Sequence, residues 1–156
     1  MAEDRKISLA LLAQWNGWHP AGWFTAGGDK DASNDVDYYV SMAKLAEKGK
    51  FDLFFLADTP AARTDHLEAW SRNPVYMNWF EPTTLLSAVA MMTARIGVAG
   101  TASTSFTEPY NIARTYASLD HISHGRAGWN VVTSGNNYAA RNFGLEQLPP
   151  HAERYE

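Results

Sequence analysis

Asp58 closes the apolar run Phe51–Ala57. A carboxylate at the end of a strand can hold a ligand hydroxyl or N–H, act as a base, or bind a metal, with capping of the following turn as its structural alternative. Thr101, Ser103, Thr104 and Ser105 crowd the end of a second run. Their hydroxyls can hydrogen-bond a polar heterocycle or an activated oxygen, and they are equally ordinary turn formers. Asn130 interrupts a third run, where an unpartnered amide costs on the order of 1–3 kcal/mol, so either a ligand or a nearby backbone carbonyl must satisfy it. His151 and Tyr155 stand at i, i+4, which on a helical turn puts both on one face.

Other chemistries find less support. Without cysteine there is no disulfide, thiolate metal site or thiol nucleophile. His121 and His124 share helical spacing, but they fall at the end of a helix opposite Asp58, with no carboxylate motif beside them. A cation-favouring helix terminus or plain solvation explains them better than a metal. No GxGxxG, P-loop or GxSxG pattern occurs, which disfavours a nucleotide bound in the Rossmann manner and a serine nucleophile. Gly27 and Gly28 read as turn residues, and Asp29 and Asp31 as a solvated loop pair rather than glycosidase carboxylates.

These groups need elements to position them. The runs Ile7–Ala13, Phe51–Ala57, Ile96–Ala102 and Ala127–Thr133 are of strand length, and near-continuous apolarity suits parallel strands covered on both faces. Helical patterns lie between them. Val36, Tyr39, Val40, Ala43 and Ala46 follow the capping candidates Ser33 and Asn34 and stop at Gly49; Leu85, Val89 and Met92 follow Pro82; Ile112, Tyr116 and Leu119 follow Pro109. The connections back to a strand are tight, at 49–50, 94–95 and 124–126, whereas 14–35, 59–82 and the segment from Ser134 onward are long. Parallel strands gather such long loops at their carboxyl ends, where active sites of α/β folds sit. Trp15, Trp18, His19, Trp23, His66, Trp70, Trp79 and His151 should gather there as well.

The chain of 156 residues is 46% hydrophobic and 19% charged, enough for a core and against global disorder. Thirteen Lys and Arg against 17 Asp and Glu, a formal charge of −4, argue against nucleic-acid or anionic-membrane partners and for a small-molecule substrate. The run Ile7–Ala13 follows Glu3 and Asp4 and lacks a small-residue cleavage pattern, so no signal peptide is read, and no run reaches the ~20 residues of a membrane span. A cytoplasmic location is expected. Residues 1–156 read as one unit, the amino-terminal portion of an incomplete barrel. Four strands are half of the eight in a (βα)8 barrel, and the sequence stops at 154–156 inside a loop or the opening turn of a further helix. A flavodoxin-like sheet of four or five strands is the alternative.

The strings Lys50-Phe51-Asp52-Leu53-Phe54-Phe55-Leu56-Ala57-Asp58, Glu81-Pro82-Thr83-Thr84-Leu85-Leu86-Ser87, Pro109-Tyr110 with Ala113-Arg114, and Ser123-His124-Gly125-Arg126-Ala127-Gly128-Trp129-Asn130-Val131-Val132-Thr133-Ser134 carry a family resemblance. With Trp18-His19-Pro20 and the segment His151–Glu156, they resemble the nitrilotriacetate, pristinamycin and dibenzothiophene-sulfone monooxygenase branch of the bacterial-luciferase-like flavin enzymes. The resemblance implies the N-terminal half of a (βα)8 TIM barrel, four parallel strands with crossover helices. It also implies a two-component monooxygenase that takes FMN as FMNH2 from a separate NAD(P)H:flavin reductase and uses O2 on a small organic substrate. By motif position, Asp58 and Thr104 would line the isoalloxazine and Asn130 would approach it. His151 and Tyr155 would contact the flavin or its ribityl-phosphate chain, and Trp15, Trp18, Trp23 and Trp79 could wall a dry pocket. Open sheet edges favour self-association into a homo-oligomer. The alternatives are a noncatalytic half-barrel that only associates with a partner, and a metal-dependent hydrolase on a flavodoxin-like sheet.

Overall fold

The computed structural model of the chain describes residues 6–15, 17–19, 21–25, 27–29, 31–62, 64–72 and 78–155. Pro20 and Glu156 of the quoted motifs, and the side chain of Trp23, lie outside the described set. The regular elements are β1 (Ala10–Leu12), α1 (Val36–Lys48), β2 (Leu53–Leu56), α2 (Leu67–Arg72), α3 (Pro82–Met92), β3 (Gly97–Ser103), α4 (Pro109–Ser123), β4 (Ala127–Val132) and α5 (Asn137–Asn142). Short 3₁₀ turns occupy Gly22–Phe24, Ala32–Asn34 and Ala152–Tyr155. The four strands pair in parallel and in chain order, β1-β2-β3-β4, so the expected strand–helix alternation and its parallel sense are both present. No helix among the described residues is long and apolar enough to cross a membrane.

The core lies between the sheet and α1, α3 and α4. Phe54, Val98, Leu86 and Val89 are fully shielded, each contributing roughly 1.5–3 kcal/mol by burial. At Gly100 an added Cβ would stand 2.9 Å from Pro82 Cβ and 3.0 Å from Leu86 Cδ1, so glycine lets α3 lie directly on β3. Side chains alternate along each strand, and register places Thr101 beside Asn130 on the opposite face. That face is partly covered in this chain: Ala99 and Thr101 are buried, whereas Leu12 is 37% exposed and Asn130 is exposed.

Three further differences are local. Asp35, rather than Ser33 or Asn34, caps α1 by accepting from the Asp37 N–H at 2.9 Å, since those two residues are taken up in the preceding 3₁₀ turn. The first strand is shorter than Ile7–Ala13 because its start is held differently, with the Leu9 N–H donating to the Asp52 carboxylate at 2.8 Å. The long connections also carry helical segments, α2 and α5, that lack a sustained apolar stripe.

Polar side chains fasten the tight end of the sheet. The Glu47 carboxylate on α1 accepts from the backbone N–H groups of Ala94, Arg95 and Ile96 between α3 and β3. Burial pushes its pKa up, but those three donors outweigh burial and hold it below the ordinary 4.5. Arg126 has no carboxylate partner among its contacts. Its guanidinium donates to the carbonyls of Ser123, Ile96, Ala90 and Thr93 and to the Thr93 hydroxyl, tying the ends of α3 and α4 to the starts of β3 and β4.

Replacing Arg126 with Lys keeps the charge but loses the planar fork, so chemical denaturation should show a loss of about 2 kcal/mol. Glu47→Gln should cost about 1–2 kcal/mol at neutral pH. Because the folded pKa of Glu47 is lowered, its contribution is present above 4.5 and lost as pH falls through the folded value. The variant's stability should accordingly fall less steeply than the parent's under acid, and equally steep curves would exclude this role.

Candidate functional site

Parallel strands release their following loops at one end, and the loops after β1 and β2 enclose a cavity of about 220 Å³ there. Ala13, Gln14, Trp15 and Trp18 come from the first loop, while Leu56, Ala57, Asp58 and Thr59 come from the end of β2. Trp79 and Phe80 close it before α3, and Tyr39 and Leu85 reach in from α1 and α3. Trp15 is 2% exposed and Trp18 57% exposed, so the aromatic wall runs from the core to the surface.

Asp58 is half-buried in this wall, and the Trp79 indole N–H donates to its Oδ1 at 2.8 Å. Burial pushes the Asp58 carboxyl above its ordinary 3.8; the Trp79 and Thr59 N–H groups oppose the rise without cancelling it, and the charge of Glu81 adds to it. Burial raises Glu81 too, yet the hydroxyls and N–H groups of Thr83 and Thr84 outweigh burial and hold Glu81 below its ordinary value. Burial, with Tyr38 nearby, pushes the Tyr39 phenol up to about 12, so that phenol keeps its proton near neutral pH. One carboxylate is thus tied into a helix cap and the other is turned toward a cavity.

The remaining expected residues form a second group along β3, β4 and the last turn. Asn130 Nδ2 donates to Thr101 Oγ1 at 3.0 Å, and Thr101 donates to the Leu56 carbonyl at 3.2 Å. The Asn130 Nδ2 is therefore satisfied by a threonine hydroxyl rather than by the backbone carbonyl weighed from sequence. Thr104 is exposed and donates through N–H and Oγ1 to the Val132 carbonyl, at 2.9 and 3.3 Å. Ser105 reaches the Thr133 carbonyl and Ser134 reaches the Ser103 hydroxyl, both at 2.7 Å. His151 and Tyr155 lie against each other with ring centroids 4.8 Å apart, and Tyr155 is 68% exposed. Between them in sequence, Arg154 donates to the carbonyls of Thr133 and Ser134 and docks this turn on the carboxyl end of β4.

Thr104 follows β3, Asn130 lies on β4, His151 and Tyr155 belong to the turn that Arg154 docks after β4, and Asp58 follows β2. No described hydrogen bond joins Asp58 to any of the four. The two groups meet through neighbours, where Asn136 Nδ2 donates to Thr59 Oγ1 at 3.1 Å and Asn142 Nδ2 to the Pro60 carbonyl at 3.0 Å. Sequence reasoning missed Arg154 and the pairing of Trp79 with Asp58. Trp79 stood out as a loop aromatic that could wall a pocket, with nothing to signal its bond to Asp58, and Arg154 only as part of the last motif. His66 and Trp70 do not line the cavity; they lie around α2, where the Trp70 indole donates to Asp65 at 3.3 Å. Among the described residues no three of His, Cys, Asp and Glu gather to hold a metal ion.

Comparison with known proteins adds to this geometry. Residues 18–156 match the model of the family described as luciferase-like monooxygenase. The chain is 43% identical over 155 residues to N-acetyl-S-(2-succino)cysteine monooxygenase of Bacillus subtilis (strain 168), covering 99% of this chain and 34% of that protein. It is 41% identical over 161 residues to nitrilotriacetate monooxygenase component A of Aminobacter aminovorans, covering 99% and 36%. Among solved structures, EDTA monooxygenase from Chelativorans sp. BNC1 superposes with a TM-score of 0.84 at 34% identity, over 97% of this chain and 35% of that one. A riboflavin lyase solved with modified FMN and riboflavin superposes at 0.75 and 30% identity, over 95% and 34%. The chain thus spans about a third of the length of these curated relatives.

The Trp79–Asp58 bond carries a test of its own. Trp79→Phe keeps the ring and removes the donor, so Asp58 should titrate at higher pH in a carboxyl-carbon NMR titration, and an unchanged or lower value would refute the assignment. A raised carboxyl pKa penalises the ionised form above that pKa, and the penalty is absent below the ordinary 3.8. Asp58→Asn should therefore leave the melting temperature at neutral pH unchanged or higher.

Proposed function

Because the chain belongs to the luciferase-like monooxygenase family, we propose that it builds the amino-terminal part of the flavin and substrate site of an FMN-dependent monooxygenase. The observation that carries this reading is the position of Asp58, set by β2 at the carboxyl end of a parallel sheet, in the wall of an aromatic cavity. Residues 1–156 would form the first four βα units of a longer barrel domain, with the open edges of β1 and β4 available to further strands.

The side chains present suit a flat, polar heterocycle. Thr104, after β3, and Asn130, on β4, are exposed, and no described residue donates to the Asn130 carbonyl. Asp58, Thr104, Asn130, His151 and Tyr155 are the residues that would hold FMN, with Arg154 fixing the turn that carries the last two. When bound in its reduced form, FMN supplies the electrons with which O2 oxygenates a carbon, nitrogen or sulfur of the substrate. The chain's own part is orientation and dryness. Trp15, Trp18 and Trp79 would exclude water from the reacting centre, and the Trp79 N–H would hold Asp58 in one rotamer. A relative named component A supports a partner that delivers the reduced flavin, which we read as an NAD(P)H:flavin reductase working in the cytoplasm.

Anaerobic titration of the chain with FMNH2, followed by flavin absorbance and fluorescence, tests the reading. Saturable binding is expected, and Asp58→Asn and Asn130→Leu should each weaken it at least tenfold, about 1.4 kcal/mol, while Asp58→Asn leaves global stability unchanged or higher and Asn130→Leu lowers it by less than it weakens binding. Absence of binding, or equal losses in binding and stability, would reduce these residues to structural roles.

A further inference from the structure

The aromatic cavity also limits what can occupy it. Its described lining contains no lysine, arginine or histidine, and its one ionisable acid is Asp58. The polar hydrogens its side chains offer belong to neutral groups: the Gln14 amide, the Thr59 hydroxyl, the Tyr39 phenol and the Trp15 and Trp18 indoles. The Trp79 indole N–H is already committed to Asp58. Glu81 adds a second negative charge close enough to act on both Asp58 and Tyr116. The rest of the wall is alkyl or aromatic, with Leu56, Leu85, Phe80 and Trp15 prominent.

An anion entering such a space gives up its hydration and meets like charge without a cationic partner. We infer that this cavity is a substrate subsite for a largely apolar group of aromatic-ring or thioether size, and that it turns carboxylates away. The inference rests on the functional reading above and narrows the substrate class that the reading leaves open.

Isothermal titration of the chain without flavin, using two probes built on one phenyl ring, tests it: thioanisole and (phenylthio)acetate. Thioanisole should bind at least tenfold more tightly than the carboxylate. Ala57 lines the cavity yet is exposed, so Ala57→Leu should fill the space, weaken thioanisole at least tenfold and leave the melting temperature unchanged. Should that variant unfold, Trp18→Ala, at a position 57% exposed, takes its place with the same expected loss. Tighter or equal binding of the carboxylate, no binding of thioanisole, or full binding by the folded variant would each overturn the inference. Because no flavin is present, these outcomes are separate from success or failure of FMNH2 binding.

Discussion

All four strands run in one direction, and this single constraint sorts the rest of the molecule. Each loop that leaves a strand emerges at the carboxyl end, and each loop that returns to a strand closes at the other. The return loops are short and held by side chains that accept or donate several backbone bonds at once. Glu47 gathers three N–H groups, and Arg126 spans the ends of two helices and the starts of two strands. His124 adopts left-handed geometry at φ 57° to end α4. The departing loops are long, aromatic and less regular. Rigidity is concentrated at one end of the sheet and chemical variety at the other, as in folds where loops can vary on a fixed scaffold.

At the carboxyl end, hydrogen bonds between loops replace the helix packing that organises the outer face. Asn136 and Asn142 draw the segment after β4 onto Thr59 and Pro60 after β2. The serines that end β3 bond to Thr133 and Ser134, and Arg154 brings the last turn to those same two residues. The site is thus carried by a network that crosses from strand to strand, and its members are short polar side chains at strand ends. Residues that hold one another so closely are pre-oriented, which lowers the ordering cost of binding.

Much of this was legible in the sequence because the signals were periodic and local. Four apolar runs and three helical stripes sufficed for the strand–helix order, and Pro82 and Pro109 marked their helix starts to the residue. The lengths of the connections placed Asp58 at the carboxyl end without any tertiary information. The losses were all long-range or geometric. Nothing in Trp79 announces a bond to an aspartate 21 positions away, and Glu47 looks like any solvent-facing glutamate on a helix. Arg126 has no acidic residue at a telling spacing, since its partners are backbone carbonyls. The α1 cap moved from Ser33 or Asn34 to Asp35 because a 3₁₀ turn, too short to leave a periodic trace, intervenes. His151 and Tyr155 do come together, yet what docks them is Arg154, whose role depends on a carbonyl pair 20 and 21 residues earlier.

Asp58 and Glu81 show how one fold assigns opposite tasks to like groups. Both sit at the carboxyl end near α3, and burial acts on both in the same direction. Glu81 offsets that burial with four donors from Thr83 and Thr84, so its charge is locked into the start of the helix. Asp58 receives the Trp79 indole and one backbone N–H, too few to outweigh burial. A fully satisfied carboxylate can serve only structure, because a ligand would have to displace bonds already made. An under-satisfied one in a cavity wall keeps acceptor capacity and a protonation state that an incoming molecule can change. The difference between cap and site is therefore a difference in the number of donors supplied by neighbouring threonines, fixed by the sequence Glu81-Pro82-Thr83-Thr84 at one position and by its absence at the other.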